Sequence, residues 1–117
     1  MELHDLVQAL LTGNLLSARQ YVADAQRGKV DWSRLSPPTG YTEREMAVAA
    51  AIVELLAARN GSVPPPWTHA VGALHEALIL DPGLDRMPRS FARAKTSGPE
   101  PLRRRNLIAL PDFLDVA

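Results

Sequence analysis

The side chains in this 117-residue sequence best suited to chemistry are arginines, and most of them lie in one short band. Residues 86–105 hold seven of the thirteen basic side chains and one acidic side chain, Glu100, whereas residues 1–85 hold six basic and ten acidic ones. The chain is neutral overall, but its positive charge is concentrated in this band. Because the planar guanidinium group pairs bidentately with carboxylates and phosphates, the band predicts a surface for an anionic partner.

Two groups of arginines make up this band. Arg86, Arg89 and Arg93 are spaced by three and four residues, so a helix would display them on one side. Arg103, Arg104 and Arg105 are consecutive and are followed by Asn106. Two interpretations are open. The arginines form a solvated face that pairs with the chain's own acids, each exposed pair contributing under about 1 kcal/mol, or they form a partner-binding surface.

The sequence contains no pattern typical of an active site. It has no cysteine, which excludes disulfides, thiolate metal sites and cysteine nucleophiles. It has neither a phosphate-binding glycine loop nor a serine at a nucleophile elbow. His69 and His75 are six residues apart and cannot face one metal ion from a single helix. We therefore expect a protein that is not an enzyme and has no catalytic residue, cofactor or metal site.

The first half of the chain has clear helical signals. Apolar residues spaced by three and four predict a helix over residues 2–12, and Asn14 is a suitable N-cap for a second helix over residues 15–27. Thr42 and Glu45 form a capping-box pattern that begins a helix over residues 42–60, ending at Asn60-Gly61. Its apolar surface is too wide for one stripe, so we expect it to be the central helix of a three-helix bundle.

From Pro64 onward, frequent prolines favour short helices and extended connections. We expect short helices over residues 67–74 and 85–96, a short apolar segment over residues 78–80, and Trp32 and Trp67 as core anchors of the connectors. The prediction is an all-α fold in one domain, in which a bundle of residues 1–63 is wrapped by a proline-punctuated basic segment of residues 64–117. No apolar run is long enough to span a bilayer, and the first residues lack an export signal, so a cytoplasmic location is expected.

Residues 64–117 carry two different motifs separated by a linker. The first is Pro65-Pro66-Trp67-Thr68, and the second is Pro99-Glu100-Pro101-Leu102-Arg103-Arg104-Arg105-Asn106. This segment resembles the C-terminal part of small bacterial antitoxin-type proteins, whose genes are coupled to nucleotidyltransferase-like toxins. The resemblance implies that Arg103, Arg104, Arg105 and Asn106 contact the partner. The apolar residues from Leu107 to Leu114 could serve as anchors in that interface, or they could form the last layer of the protein's own core.

The charge pattern and the resemblance together predict a non-enzymatic protein-binding module that neutralises such a toxin through its basic C-terminal segment. Its partner-binding residues would be Arg86, Arg89, Arg93, Arg103, Arg104, Arg105 and Asn106. One alternative is a nucleic-acid-binding accessory or transcriptional regulator, although the pI of about 6.8 and the 5% aromatic content disfavour it. Another alternative is a homo-oligomeric helical scaffold in which the wide central helix pairs with a second copy.

Overall fold

The computed structural model describes residues 3–28 and 30–114, of which 58% lie in helices and 4% in strands. The predicted start at residue 2 and the tail residues 115–117 lie outside the described residues. The elements, in chain order, are α1 (Leu3–Leu11), α2 (Leu15–Arg27), α3 (Glu43–Arg59), β1 (Leu78–Ile79), α4 (Pro88–Ser97), α5 (Glu100–Arg103) and β2 (Leu107–Ile108). The expectation of a mostly helical chain is confirmed. None of the helices described is long and apolar enough to cross a bilayer.

The predicted helix caps are present in the structure. The Asn14 side chain accepts a hydrogen bond from the Ser17 amide at 3.1 Å, which satisfies a free donor at the start of α2. At the start of α3, the Glu45 amide donates to the Thr42 hydroxyl, and the Thr42 amide donates to the Glu45 carboxylate at 2.8 Å. These bonds depend only on neighbouring residues, so the sequence located both helix starts correctly.

Helix α3 lies at the centre of the core, because every residue from Ala47 to Ala57 is buried. It contacts α1, α5 and two 3-10 turns, Trp32–Arg34 and Pro66–Ala70. Leu107, Phe113 and Leu114 join the same apolar cluster, so both halves of the chain share one core. The chain's own elements therefore cover the wide apolar surface of α3, and this buried stretch offers no face to a second copy.

The proline-rich half differs from the sequence expectations in several places. The helix expected over residues 67–74 is the 3-10 turn Pro66–Ala70. The helix expected over residues 85–96 is a 3-10 turn, Leu84–Arg86, followed by α4. Proline disfavours helical geometry in the residue before it, and Met87 accordingly adopts φ −125° between the two elements. Arg86 therefore lies in the 3-10 turn, whereas Arg89 and Arg93 lie on α4, so the three residues are not on one helix as expected.

A pair of strands and the helix α5 were not predicted. β1 and β2 pair in parallel, with Leu78 opposite Leu107 and Ile79 opposite Ile108. Each strand has only two residues, which is too short to show an alternating pattern in the sequence. The apolar segment over residues 78–80 is thus a strand whose partner is 29 residues further along the chain.

Both tryptophans anchor connectors, as expected. Trp32 is 1% exposed and belongs to the main core cluster. Trp67 packs against that cluster and donates its indole N–H to the Leu35 carbonyl at 2.8 Å. Trp67 is partly buried, so its indole N–H benefits from such an acceptor, and this bond joins the Pro66–Ala70 turn to the connector before α3.

Gly98, which ends α4, allows the chain to pass close to the residues after β2. A Cβ atom at this position would lie 2.4 Å from the Ala109 carbonyl oxygen and 2.6 Å from the Ala94 carbonyl oxygen. Both atoms belong to the backbone and cannot move without displacing an element. A side chain here would therefore push α4 away from the strand pair.

We predict that Gly98→Ala lowers the free energy of unfolding by about 2 kcal/mol or more, because inserting a methyl group into a packed site costs roughly 1–3 kcal/mol. Urea denaturation followed by circular dichroism would measure the change. Gly72→Ala is the matched control, since nothing lies within 4 Å of its Cβ position. Equal stability of the two variants would show that the close approach of Gly98 to Ala109 is unimportant.

Candidate functional site

The three consecutive arginines have different environments. Arg103 is exposed, the Arg104 side chain is 42% exposed, and Arg105 is 1% exposed. They lie at the end of α5 and in the turn that leads to β2, where the chain passes along α3. The run is therefore not one continuous basic surface.

Arg105 is held by Glu54, which projects from the middle of α3. Arg105 Nη1 lies 2.7 Å from Glu54 Oε1 and Nη2 lies 3.0 Å from Oε2, which is the bidentate geometry that a guanidinium group favours. The same two nitrogens donate to the carbonyl oxygens of Pro101 at 3.0 Å and Thr68 at 2.7 Å. All four terminal N–H groups are thus used, and only Nε finds no acceptor in the described part of the chain.

Two further side chains, Arg104 and His69, lie close to the Glu54 carboxylate. Arg104 Nη2 contacts Oε1, and His69 Nδ1 lies 3.5 Å from Oε2. Burial of the Glu54 side chain, which is 4% exposed, raises the pKa of its carboxyl group. Hydrogen bonds from Arg105 and the charges of Arg105 and Arg104 outweigh that effect and hold the pKa below its ordinary value of 4.5. Glu54 therefore remains ionised and neutralises part of the basic band from inside the protein.

Asn106 is bound to the fold through its side chain and its backbone. It adopts a left-handed conformation with φ 66°, which asparagine tolerates better than most residues. Its side-chain Nδ2 donates to the Leu74 carbonyl at 3.1 Å, and its carbonyl accepts from the Leu78 amide at 3.0 Å. Asn106 thus joins the 71–77 loop to the start of the strand pair.

These contacts correct the expectation that residues 103–106 together face a partner. Arg105 lies in the interior and serves as the counter-ion of Glu54. Arg104 is shared between Glu54 and Glu100, whose carboxylate lies 3.8 Å from Arg104 Nη1. Of the four residues, Arg103 remains exposed without an acidic partner among the described residues.

The other group of arginines is exposed. Arg86, Arg89 and Arg93 all reach solvent, and none of them lies within 4 Å of a carboxylate in residues 3–28 and 30–114. Helix α4 has no acidic residue, and Arg89 in its first turn interacts unfavourably with the positive end of the helix dipole. Among the residues that the structure describes, no acid of the first half of the chain forms an ion pair with this group.

A depression elsewhere in the described residues also carries titratable side chains. This depression has a volume of about 410 Å³, is open, and is lined by Glu43, Arg44, Leu74, His75, Glu76 and Ala77. No group of three or more metal-ligating side chains comes together within the described ranges.

Sequence reasoning missed Glu54, although the sequence carried a signal for it. Glu54 is the only charged residue between Met46 and Ala58, in a helix whose apolar surface was already judged too wide for one stripe. An acid that is buried in such a helix needs a cationic partner. The pairing with Arg105, 51 residues away, is a tertiary contact that no local pattern shows.

Comparisons of the chain with protein-family models, with curated proteins and with solved structures found no match.

We predict that Arg105→Lys lowers the free energy of unfolding by roughly 2–3 kcal/mol, because an ammonium group cannot replace the guanidinium fork and leaves buried acceptors without donors. Arg104→Lys is the matched control and should cost less than about 1 kcal/mol, since this side chain is partly exposed and the lysine can still reach Glu54. Urea denaturation of both variants measures the difference. Equal destabilisation by the two substitutions would argue against a buried Arg105.

The Glu54 pair also predicts a pH dependence of stability. Because the pKa of Glu54 is lowered in the folded state, its contribution is complete above 4.5, the ordinary value, and disappears as pH falls through the lower folded pKa. In Glu54→Gln, this contribution is absent at every pH. The difference in unfolding free energy between the wild type and this variant should therefore narrow below about pH 4.5. A difference that stays constant down to the acid-unfolding region would contradict the assignment.

Proposed function

We propose that this chain is a cytoplasmic, non-enzymatic protein-binding module that docks an acidic partner surface on Arg86, Arg89 and Arg93. We call these three residues the α4 arginine face, although Arg86 lies in the 3-10 turn before the helix and only Arg89 and Arg93 lie on α4 itself. The observation that carries the proposal is that all three side chains are exposed and have no carboxylate partner in residues 3–28 and 30–114. Uncompensated charge of one sign steers a partner of opposite charge and increases its association rate.

The chain's own ion pairs make this absence informative. Glu54 and Glu100 neutralise Arg104 and Arg105, and Asp24 and Asp31 each pair with an arginine three residues away, Arg27 and Arg34. Several cations of this molecule therefore pair with acids, but within the described ranges no carboxylate, including that of the neighbouring Asp85, lies within 4 Å of the arginine groups of the α4 arginine face. A surface whose only role was solubility would not need three like charges along one short segment.

The surroundings of these arginines favour a protein partner over a nucleic acid. Met87, between Arg86 and Arg89, is 45% exposed, and a flexible apolar side chain among arginines is typical of protein interfaces. The chain is neutral overall, whereas proteins that bind duplex DNA are commonly basic. Met87 would supply an apolar contact, and the arginines would set the orientation.

The resemblance of residues 64–117 to antitoxin-type proteins supports a specific form of the proposal, in which the partner is a nucleotidyltransferase-like toxin encoded by a neighbouring gene. Such an enzyme gathers acidic, metal-binding side chains in its pocket, and an arginine face could cover them. The structure changes which residues are available for this role. The docking residues are those of the α4 arginine face, while Arg105 and Asn106 hold the segment in shape.

The experiment is co-purification of the tagged chain with the product of the neighbouring reading frame, before and after the triple substitution Arg86→Gln, Arg89→Gln and Arg93→Gln. We expect the triple variant to fold normally, because all three side chains are exposed and lie outside the core. We expect its affinity to fall at least about tenfold, since removing a charge-assisted hydrogen bond costs roughly 1.5–3 kcal/mol. Isothermal titration calorimetry of the purified pair measures the dissociation constant.

The matched control is Arg19→Gln, Arg34→Gln and Arg44→Gln, which removes the same charge from exposed arginines elsewhere on the molecule. Binding that survives in the control and fails in the α4 variant supports the proposal. Equal binding by both variants contradicts it. A nucleic-acid role predicts instead that the wild type binds duplex DNA with an affinity that falls steeply with salt, and that the α4 variant does not.

A further inference from the structure

A small cleft on the other flank of α4 is lined by two further cations. Its volume is about 70 Å³, and its lining residues are Lys95, Arg103, Asn106, Leu107 and Ile108. Arg93 and Lys95 are two positions apart, which turns their side chains about 200° from each other around the helix. The cleft is therefore separate from the α4 arginine face, and the proposed function does not use it.

Neutral groups hold both cations in place. Arg103 Nε donates to the Gly98 carbonyl at 2.6 Å. The two terminal nitrogens of the guanidinium group remain available to donate hydrogen bonds to a ligand. The Lys95 ammonium group lies 5.6 Å from the centre of the Phe91 ring, an arrangement that orients it through a cation–π contact. No carboxylate lies within 4 Å of either cation in the described ranges. Two cationic residues thus line one cleft, and no carboxylate of the described part of the chain lies within 4 Å of either charged group.

We propose that this cleft binds a single phosphate group, either inorganic phosphate or the phosphate of a small monoester. Near pH 7 such a group carries a charge of about −1.5 to −2, which matches the two cations, whereas one carboxylate would neutralise only one of them. The terminal nitrogens of Arg103 suit two phosphate oxygens, and Lys95 acts as a point charge on a third.

The remaining lining residues limit the ligand to one phosphate. Leu107 and Ile108 are buried residues of β2 and form an apolar floor, while the Nδ2 of Asn106 already donates to Leu74. The described lining includes no further cation for a second phosphate and no aromatic face on which a base could stack. A diphosphate or a nucleic-acid strand therefore fits it less well than a single group.

The test is a titration of the isotopically labelled full chain with inorganic phosphate and, separately, with glycerol 3-phosphate, at about pH 7.5 and constant ionic strength maintained with sodium chloride. Two-dimensional NMR should show saturable shifts at residues 95, 103 and 106. Lys95→Gln should weaken binding by about tenfold, because it removes one charge-assisted hydrogen bond to the phosphate while the bond between Arg103 and Gly98 remains. Saturation by either compound supports the proposal, and the comparison shows whether the site prefers the free ion or the monoester.

Arg93→Gln is the matched control, since it removes one positive charge from the opposite flank of the same helix and should change phosphate affinity by less than about twofold. Arg103→Lys retains the charge and should weaken binding several-fold because the fork is absent, with the NMR spectrum confirming that the fold persists. Acetate that binds as tightly as phosphate would overturn the proposal. Chemical shifts that never saturate would also overturn it, and so would shifts at Arg86, Arg89 and Arg93 as large as those at residues 95, 103 and 106. Either result would indicate non-specific screening by ions in solution.

Discussion

The buried ion pair between Glu54 and Arg105 is the interaction on which the arrangement of this molecule depends. It joins the middle of the central helix to the turn before β2, across 51 residues of chain. Either group alone in this interior would be costly, because a buried charge without its partner destabilises a protein by several kcal/mol. Neither charge can therefore be buried without the other, so the segment from α5 to β2 must lie against α3. Docking of that segment places β2 beside β1, and the close passage at Gly98 keeps α4 next to them.

This pair also decides which cations remain available for binding. Glu54 is a single carboxylate, yet it contacts both Arg105 and Arg104, while Glu100 takes a further contact with Arg104. The consecutive arginines are consequently the more neutralised part of the basic band. The cations on the two flanks of α4 have no carboxylate within 4 Å among the described residues, in one case on an exposed surface and in the other beside a small cleft. Because these environments differ, we propose different ligands for them: an acidic protein surface for the first and a single phosphate group for the second.

Local signals in the sequence predicted the helices of the first half of the chain well. The apolar spacing of α1, the Asn14 cap and the Thr42 capping box involve residues within a few positions of one another, and the structure has all three. The second half was predicted less well, because its elements have two to ten residues and are held by distant partners. Pro88 shows the difference: the sequence predicted one helix over residues 85–96, but the effect of this proline on Met87 separates α4 from the turn that carries Arg86. The candidate site followed the same division, since the sequence identified the basic band but not its internal counter-ion.

By itself, the sequence determined the helical class, the starts of α2 and α3, the absence of cysteine chemistry and the concentration of positive charge in residues 86–105, because each of these follows from composition or from neighbouring residues. Only the tertiary structure decided that Arg105 is buried, that Asn106 supports the strand pair and that Lys95 and Arg103 share a cleft. The physical reason is that exposure and ion pairing depend on which distant segments meet in space. A run of three identical residues carries no information about which of them will find a buried carboxylate.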